Sequence, residues 1–250
     1  RLACGKRVKN DAAHVGAGGI ELVLMSSVFK LGLENARQLS QKHGVPIVNI
    51  HQPPWGILFT GKKGISRLVK RARKVGAENI VVHLATARRG FKSPFFSWVR
   101  DLEKESGINI AFENAAPAIL EKWPDYAGHP EKLENFVKIR GVNLTLDAAK
   151  AALAGMDPYQ FFQRNRANVK VIHVHGFNRK GKYHVGFLGS DFDWSGFTSF
   201  VKKFDYAGSL TLEIFPLYKF FHFGRPARAR LESAKERQLR NIKIGAKIIC

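Results

Sequence analysis

The chain has 250 residues, of which 45% are hydrophobic, and a formal net charge of +21. This length suits one domain with a large core, and no run of about 18 apolar residues is present that could cross a membrane. The two cysteines, Cys4 and Cys250, offer neither a disulfide framework nor a zinc-knuckle spacing, so we expect a cytoplasmic protein. The positive charge favours DNA or a phosphorylated compound over a neutral partner.

Short apolar strands alternate with amphipathic helices along the chain. The predicted strands cover residues 2–4, 20–24, 47–50, 80–82, 108–112, 142–146, 169–174 and 210–212. Glycines such as Gly44, Gly76 and Gly141 end the helices between them, and the pair Asp157-Pro158 begins one. From His51 onward the strand ends fall 28 to 38 residues apart, which is the length of a βα unit. The pattern predicts an α/β fold, a single (β/α)8 TIM barrel over residues 1–250, with 225–250 as a basic closing helix.

Six of these strands end in a residue that can bind a divalent cation: His51, His83, Glu113, Asp147, His175 and Glu213. In a (β/α)8 barrel the carboxyl ends of all strands surround one mouth, so these side chains would face a common cavity. Three imidazoles and three carboxylates suit Zn2+ or Mn2+, and they suffice for two ions if Glu113 bridges.

Each of these residues also has an ordinary structural explanation. A single histidine at a strand end is often only hydrogen-bonded, and a single aspartate there often caps the next helix. The joint pattern favours a metal, because several buried carboxylates need a compensating cation. His173 has the same strand parity as His175, and we interpret it as a core histidine one layer below the site.

Basic residues near the expected mouth are candidates for substrate binding. The segment KVIHVHGFNRKGKYHVGFLGSDFDW continues from a strand into a loop that carries Arg179, Lys180 and His184. These side chains could bind a phosphate or hydroxyl groups, and the alternative is that they are solvated loop charges. The basic clusters at 62–74 and 225–247 are interpreted as solvated helix faces, since both carry apolar residues at helical spacing.

Nearly the whole chain resembles the xylose-isomerase-like TIM barrels, which include sugar-phosphate isomerases and epimerases and nucleases of the endonuclease IV type. VVHLAT, AFENAAP and LTLDAAKAALAGMDP resemble the family's histidine, glutamate and aspartate segments. HVHGFNRKGKYHVGFLGSDFDW and GSLTLEIFP are similar to its histidine-loop stretch and its final strand. The order and spacing of these segments are more specific for the family than any single segment.

The resemblance implies two alternative enzymes. An isomerase or epimerase would use one ion, held by the residues that match Glu113, Asp147, His175 and Glu213, and would transfer a proton with Glu113 and Glu213. A nuclease acting on abasic DNA would add an ion at His51, His83 and Glu113. That branch also has a third metal site, and Lys150 and Lys182 stand where two of its ligands belong.

The two lysines depart from the nuclease pattern, and this departure favours the metal-dependent isomerase. Its substrate would be a phosphorylated or polyhydroxy small molecule, and Lys150 would attract either a substrate phosphate or Asp147. A further alternative is a barrel without catalytic activity that serves as a binding module.

Overall fold

Seven parallel strands form one curled sheet in the computed structural model, which describes residues 18–24, 32–53, 61–83, 94–115, 129–177 and 190–213. The strands are β1 (Ile20–Val23), β2 (Ile47–His51), β3 (Asn79–His83), β4 (Asn109–Glu113), β5 (Asn143–Asp147), β6 (Val169–Val174) and β7 (Ser209–Leu212). Each strand pairs in parallel with the next one along the chain. This order and the alternating helices confirm the predicted α/β TIM barrel.

Seven helices lie between these strands in the described part of the chain: α1 (Leu33–His43), α2 (Lys62–Val75), α3 (Pro94–Ser106), α4 (Pro130–Arg140), α5 (Ala148–Leu153), α6 (Pro158–Asn165) and α7 (Trp194–Lys202). Gly44, Gly76 and Gly141 follow their helices in the left-handed conformation, with φ of 64°, 76° and 62°. Asp157 caps α6 through the backbone N–H of Tyr159, as predicted. None of the helices described is long and apolar enough to span a bilayer.

Some predicted elements fall outside the described ranges, namely the strand at 2–4 and the closing helix at 225–250. Helix α5 was not predicted from the sequence. It begins directly after β5, and Asp147 caps it by accepting a hydrogen bond from the backbone N–H of Lys150 at 2.8 Å. Lys150 in its first turn contacts Glu113 at the end of β4, so this turn lies at the mouth of the barrel.

The sheet separates an apolar layer from a polar interior. Side chains of one parity on the strands, such as Ile80, Phe112 and Leu146, belong to the hydrophobic core that also contains Leu68 and Phe136 of the helices. Side chains of the opposite parity on the strands point into the barrel. The apolar core therefore holds the helices on the sheet, and the interior is left free for polar side chains.

Hydrogen-bonded side chains link the strands inside the barrel. Asn109 donates to Asn79 at 2.8 Å, and Asn79 donates to Asn49 at 2.9 Å. Asn49 in turn donates to the hydroxyls of Ser209 and Thr211 on β7, at 3.0 Å each. The edge strands of the sheet are β1 and β7. Because β2, the neighbour of β1, is hydrogen-bonded to β7 in this way, the two edges approach each other and the barrel is nearly closed.

Candidate metal centre

Glu113, the last residue of β4, lies at the centre of a buried cluster of ionisable side chains. Its Oε2 is 2.8 Å from Nε2 of His83 and 3.7 Å from Nε2 of His51. Its Oε1 is 3.0 Å from Nδ1 of His173 and 2.8 Å from Nζ of Lys150. The carboxylate is 1% exposed, so bulk water does not screen these interactions. Three other strands, β2, β3 and β6, and helix α5 thus deliver polar groups to one carboxylate.

The described residues include three overlapping groups of His, Asp and Glu side chains that could hold a metal ion. Within each group the ligand atoms lie within 4.8 Å of one another. The groups are Glu113, Asp147, His173 and Glu213; His51, His83 and Glu113; and Glu21, His51 and His173. Five of the six residues predicted as ligands belong to these groups, namely His51, His83, Glu113, Asp147 and Glu213. The structure therefore brings together residues that lie on five different strands or strand ends.

His175 is the sixth predicted ligand, and it occupies a different place. Its Nε2 lies 3.1 Å from both carboxylate oxygens of Asp147, and its Nδ1 lies 3.2 Å from the carbonyl oxygen of Gly176. It belongs to none of the three groups, whereas His173 belongs to two. His173 pairs directly with Asp147 in the sheet, while His175 lies just beyond the end of β6. The histidine interpreted as a core residue is thus the one that faces Glu113 and Glu213.

Glu21 was missed in the sequence analysis. It lies in β1, and its Oε2 is 3.1 Å from Nε2 of His173 and 3.1 Å from Nδ2 of Asn49. The Glu21 carboxylate thus contacts Nε2 of the imidazole ring, while carboxylate oxygens of Glu113 and Glu213 lie 3.0 and 3.2 Å from its Nδ1. The signal in the sequence was an acidic residue in the middle of the apolar strand IELV.

Lys150 is buried among the carboxylates, with 6% of its surface exposed. Its Nζ is 2.8 Å from Oε1 of Glu113 and 2.8 Å from Oδ2 of Asp147. Of the two roles expected for Lys150, attraction to Asp147 is the one seen here. Arg179, Lys180 and His184, the other predicted substrate-binding residues, lie outside the described residues, as does Lys182.

Opposite charges determine the ionisation of this cluster. Burial alone would raise the pKa of Glu113, but Lys150 and His83 hold that pKa well below its usual range. Burial would also raise the pKa of Asp147, and Lys150 and His175 lower it strongly. Burial would lower the pKa of Lys150, yet Asp147 and Glu113 raise it well above its usual range. Both carboxylates and the ammonium are therefore charged at neutral pH.

His51 supplies an observation that fits a bound cation. Its Nδ1 lies 2.6 Å from the carbonyl oxygen of Gln52, which can only accept, so Nδ1 carries the hydrogen. In the neutral ring Nε2 then presents a lone pair to Oε2 of Glu113, 3.7 Å away. Nε2 of His51 has no hydrogen-bond partner among the described residues, and Oε2 of Glu113 has its nearest ionisable contact at Nε2 of His83, 2.8 Å away. A proton or a metal ion between the two atoms would remove this mismatch, and metal-binding histidines commonly donate their second nitrogen to a carbonyl.

The depressed pKa values predict a loss of stability in acid. Between about pH 5 and pH 3 the unfolded chain takes up protons on Glu113 and Asp147 while the native state does not, so the free energy of unfolding falls as the pH falls. Urea denaturation of the chelator-treated protein across this range measures the slope. The Asp147→Asn variant should show a shallower slope, and identical slopes for both proteins would contradict the prediction.

Comparisons with known proteins agree with this architecture. A family described as "Xylose isomerase-like TIM barrel" matches residues 10–237. The chain belongs to this family. Its relatives include uncharacterised proteins of Mycobacterium leprae, 25% identical over 189 residues, and Mycobacterium tuberculosis, 24% identical over 192 residues. Each alignment covers 66% of this chain and 66% of the relative.

Solved structures of other xylose isomerase-like barrels superpose on the chain at low identity. The IolI protein with a bound zinc atom has a TM-score of 0.67 at 14% identity, covering 97% of this chain and 92% of its own. D-psicose 3-epimerase with D-tagatose, from Clostridium cellulolyticum, has a TM-score of 0.66 at 13% identity, covering 99% and 94%. A family 2 AP endonuclease from Brucella melitensis has a TM-score of 0.62 at 13% identity, covering 84% and 86%. At such identities the likeness concerns the fold.

Proposed function

We propose that this protein is a divalent-metal-dependent sugar or sugar-phosphate isomerase or epimerase. The observation that carries the proposal is the pair of carboxylates, Glu113 and Glu213, which lie 3.0 and 3.2 Å from the same atom, Nδ1 of His173. Two carboxylates at one buried position can remove a proton from a substrate carbon and return it from another direction. Glu113 and Glu213 are therefore the proposed proton-transfer residues.

The ion would be held by Glu113, Asp147, His173 and Glu213, and this mixed nitrogen and oxygen set suits Zn2+ or Mn2+. When bound, a divalent ion polarises neighbouring oxygens of an open-chain sugar and acidifies the C–H between them. The charges support a cation here, because the cluster contains four carboxylates, those of Glu21, Glu113, Asp147 and Glu213. The ammonium of Lys150 lies 2.8 Å from two of them, Glu113 and Asp147, and His173 contacts Glu21 and Glu213. Burial lowers the pKa of His173, but Glu21 and Glu213 raise it well above its usual range, so its imidazolium offsets one more negative charge and an excess of negative charge remains. Burying this excess of negative charge is costly without further positive charge.

The proposed substrate is a phosphorylated or polyhydroxy small molecule. The net charge of +21 would attract a phosphate, and Arg179, Lys180 and His184 remain the proposed contacts to phosphate or hydroxyl groups. Lys150 would reach a substrate phosphate only after leaving Glu113 and Asp147, each 2.8 Å from its ammonium. Among structural neighbours, the D-psicose 3-epimerase was solved with D-tagatose, a polyhydroxy ketose.

The second candidate is a nuclease that acts on abasic DNA. The group His51, His83 and Glu113 favours it, because it offers a second ligand set that shares Glu113 with the first. The excess of basic residues also favours binding to a phosphate backbone. Lys150 counts against it, since a buried ammonium lies where the nuclease branch has a metal ligand. We therefore rank the isomerase first.

Metal analysis combined with two assays tests this ranking. The protein would be loaded with Mn2+ or Zn2+ and incubated in D2O with a panel of ketoses and ketose phosphates, and C–H exchange would be followed by NMR. Exchange with at least one compound supports the isomerase. Two zinc ions per chain with cleavage of abasic DNA would overturn it. Sugar-phosphate binding with neither exchange nor cleavage would indicate the non-catalytic binding module.

Replacing Lys150 by histidine tests whether a missing third metal site separates the two candidates. We expect Lys150→His to show no cleavage of abasic DNA, because Lys182 would still occupy the second ligand position. The measurement is a cleavage assay in Zn2+ on the single variant and on the Lys150→His, Lys182→Asp double variant. Cleavage by the single variant would contradict the prediction and remove the main reason for ranking the isomerase first.

A further inference from the structure

We propose that Lys150 is a tethered cation that competes with the divalent ion for Glu113 and Asp147. Its ammonium lies 2.8 Å from an oxygen of each carboxylate, and both residues belong to the four-residue group that could hold an ion. The ammonium and the ion would therefore occupy the site alternately. The inference rests on the metal site proposed above and does not depend on the reaction.

The backbone holds Lys150 close to the carboxylates. Asp147 uses Oδ1 to accept the backbone N–H of Lys150 at 2.8 Å and Oδ2 to bind the ammonium of the same residue at 2.8 Å. Asp147 is the N-cap of α5 and Lys150 lies in its first turns, so the two residues are held in register by the helix. A cation tethered in this way is present at high effective concentration and needs no binding from solution.

Burial makes the competition strong. Glu113 is 1% exposed, Asp147 is 0% exposed and Lys150 is 6% exposed, so little water is available to screen one cation from another. A divalent ion bound to Glu113 and Asp147 would lie next to the ammonium and be repelled by it. The ion must therefore displace Lys150, and the cost of displacement lowers the affinity of the site for metal.

The same contact has a second consequence for the metal-free protein. Without an ion the ammonium still neutralises part of the charge on Glu113 and Asp147, so the native protein should keep its fold in a chelator. A variant without the ammonium leaves these buried carboxylates without that compensation and becomes dependent on metal for stability.

Calorimetric titration of the chelator-treated protein with Mn2+ at fixed pH tests the proposal. Lys150→Met removes the charge and keeps the length of the side chain, and we expect it to bind Mn2+ roughly 10-fold or more tightly than the native protein. Without metal its Tm should be lower than that of the native protein. Mn2+ at about 100 times Kd should raise this Tm by roughly 5–10 °C.

Two further variants separate the role of the ammonium from other effects. Lys74→Met removes an exposed charge at the far end of α2 and should leave the Mn2+ affinity unchanged. Lys150→Gln keeps a polar side chain and serves if Lys150→Met folds only with metal. Equal Mn2+ affinity of the native protein and both Lys150 variants would overturn the proposed competition but leave the proposed metal dependence standing. Failure of the native protein and both Lys150 variants to bind Mn2+ or Zn2+ would overturn the competition and the proposed metal dependence together.

Discussion

Replacing Glu113 by glutamine is expected to lower kcat by a factor of about 100 or more and also to weaken the fold. The loss of activity follows from the removal of a proposed proton-transfer group and metal ligand. The loss of stability follows from the contacts of the carboxylate with Lys150, His83 and His173. Because these neighbours hold the pKa of Glu113 well below its usual range, the charged form stabilises the native state.

We expect the free energy of unfolding of metal-free Glu113→Gln to fall by about 1–3 kcal/mol, the usual cost of leaving a buried polar partner unsatisfied. Turnover or C–H exchange with an identified substrate gives kcat, and urea denaturation in a chelator gives the stability. Glu105→Gln removes an exposed carboxylate near the end of α3 and should change neither quantity. Activity within a factor of a few of the native value would exclude Glu113 from the mechanism.

The Glu213→Gln variant is expected to lose kcat by a similar factor, about 100-fold or more, while its stability stays close to that of the native protein. Glu213 follows β7, its side chain is 11% exposed, and its Oε2 lies 3.2 Å from Nδ1 of His173. Unlike Glu113, it is not one of the two carboxylates that bind the Lys150 ammonium at 2.8 Å. Its neutral replacement should therefore leave the ion pairs of Lys150 with Glu113 and Asp147 intact, and His173 keeps its contacts with Glu21 and Glu113.

The two glutamine variants together distinguish a chemical role from a structural one. Both should lose C–H exchange, and only Glu113→Gln should lose stability. Denaturation curves of both metal-free variants, measured beside their exchange rates, make this comparison. A large stability loss in Glu213→Gln, or retained exchange in it, would show that this carboxylate does not act as proposed.

The fold and most of the candidate site could be predicted from the sequence because strands and their spacing follow local rules, while the family was predicted from the resemblance of the strand-end segments. Apolar strands at 28 to 38 residue intervals predicted the barrel, and the parallel sheet places their carboxyl ends at one mouth. His51, His83 and Glu113 end their strands and meet there for that reason.

Other parts of the site depend on distances that no local pattern contains. His173 and His175 share one parity, and only the pairing of β6 with β5 sets His173 opposite Asp147. Glu21 joins the cluster because the curvature of the sheet brings β1 towards β6. Its Oε2 lies 3.1 Å from Nε2 of His173, although 152 residues separate the two in the chain.

Lys150 shows the division between sequence and tertiary structure most clearly. Its spacing of three residues from Asp147 was sufficient to relate it to the metal chemistry of the family. Its contact with Glu113, 37 residues away in the chain, required the first turn of α5 to lie over the end of β4. The sequence by itself thus determined most of the ionisable groups at the barrel mouth, but neither Glu21 nor the position of His173. The tertiary structure decided which of them touch, because contacts between buried charges depend on strand register and on the closure of the sheet.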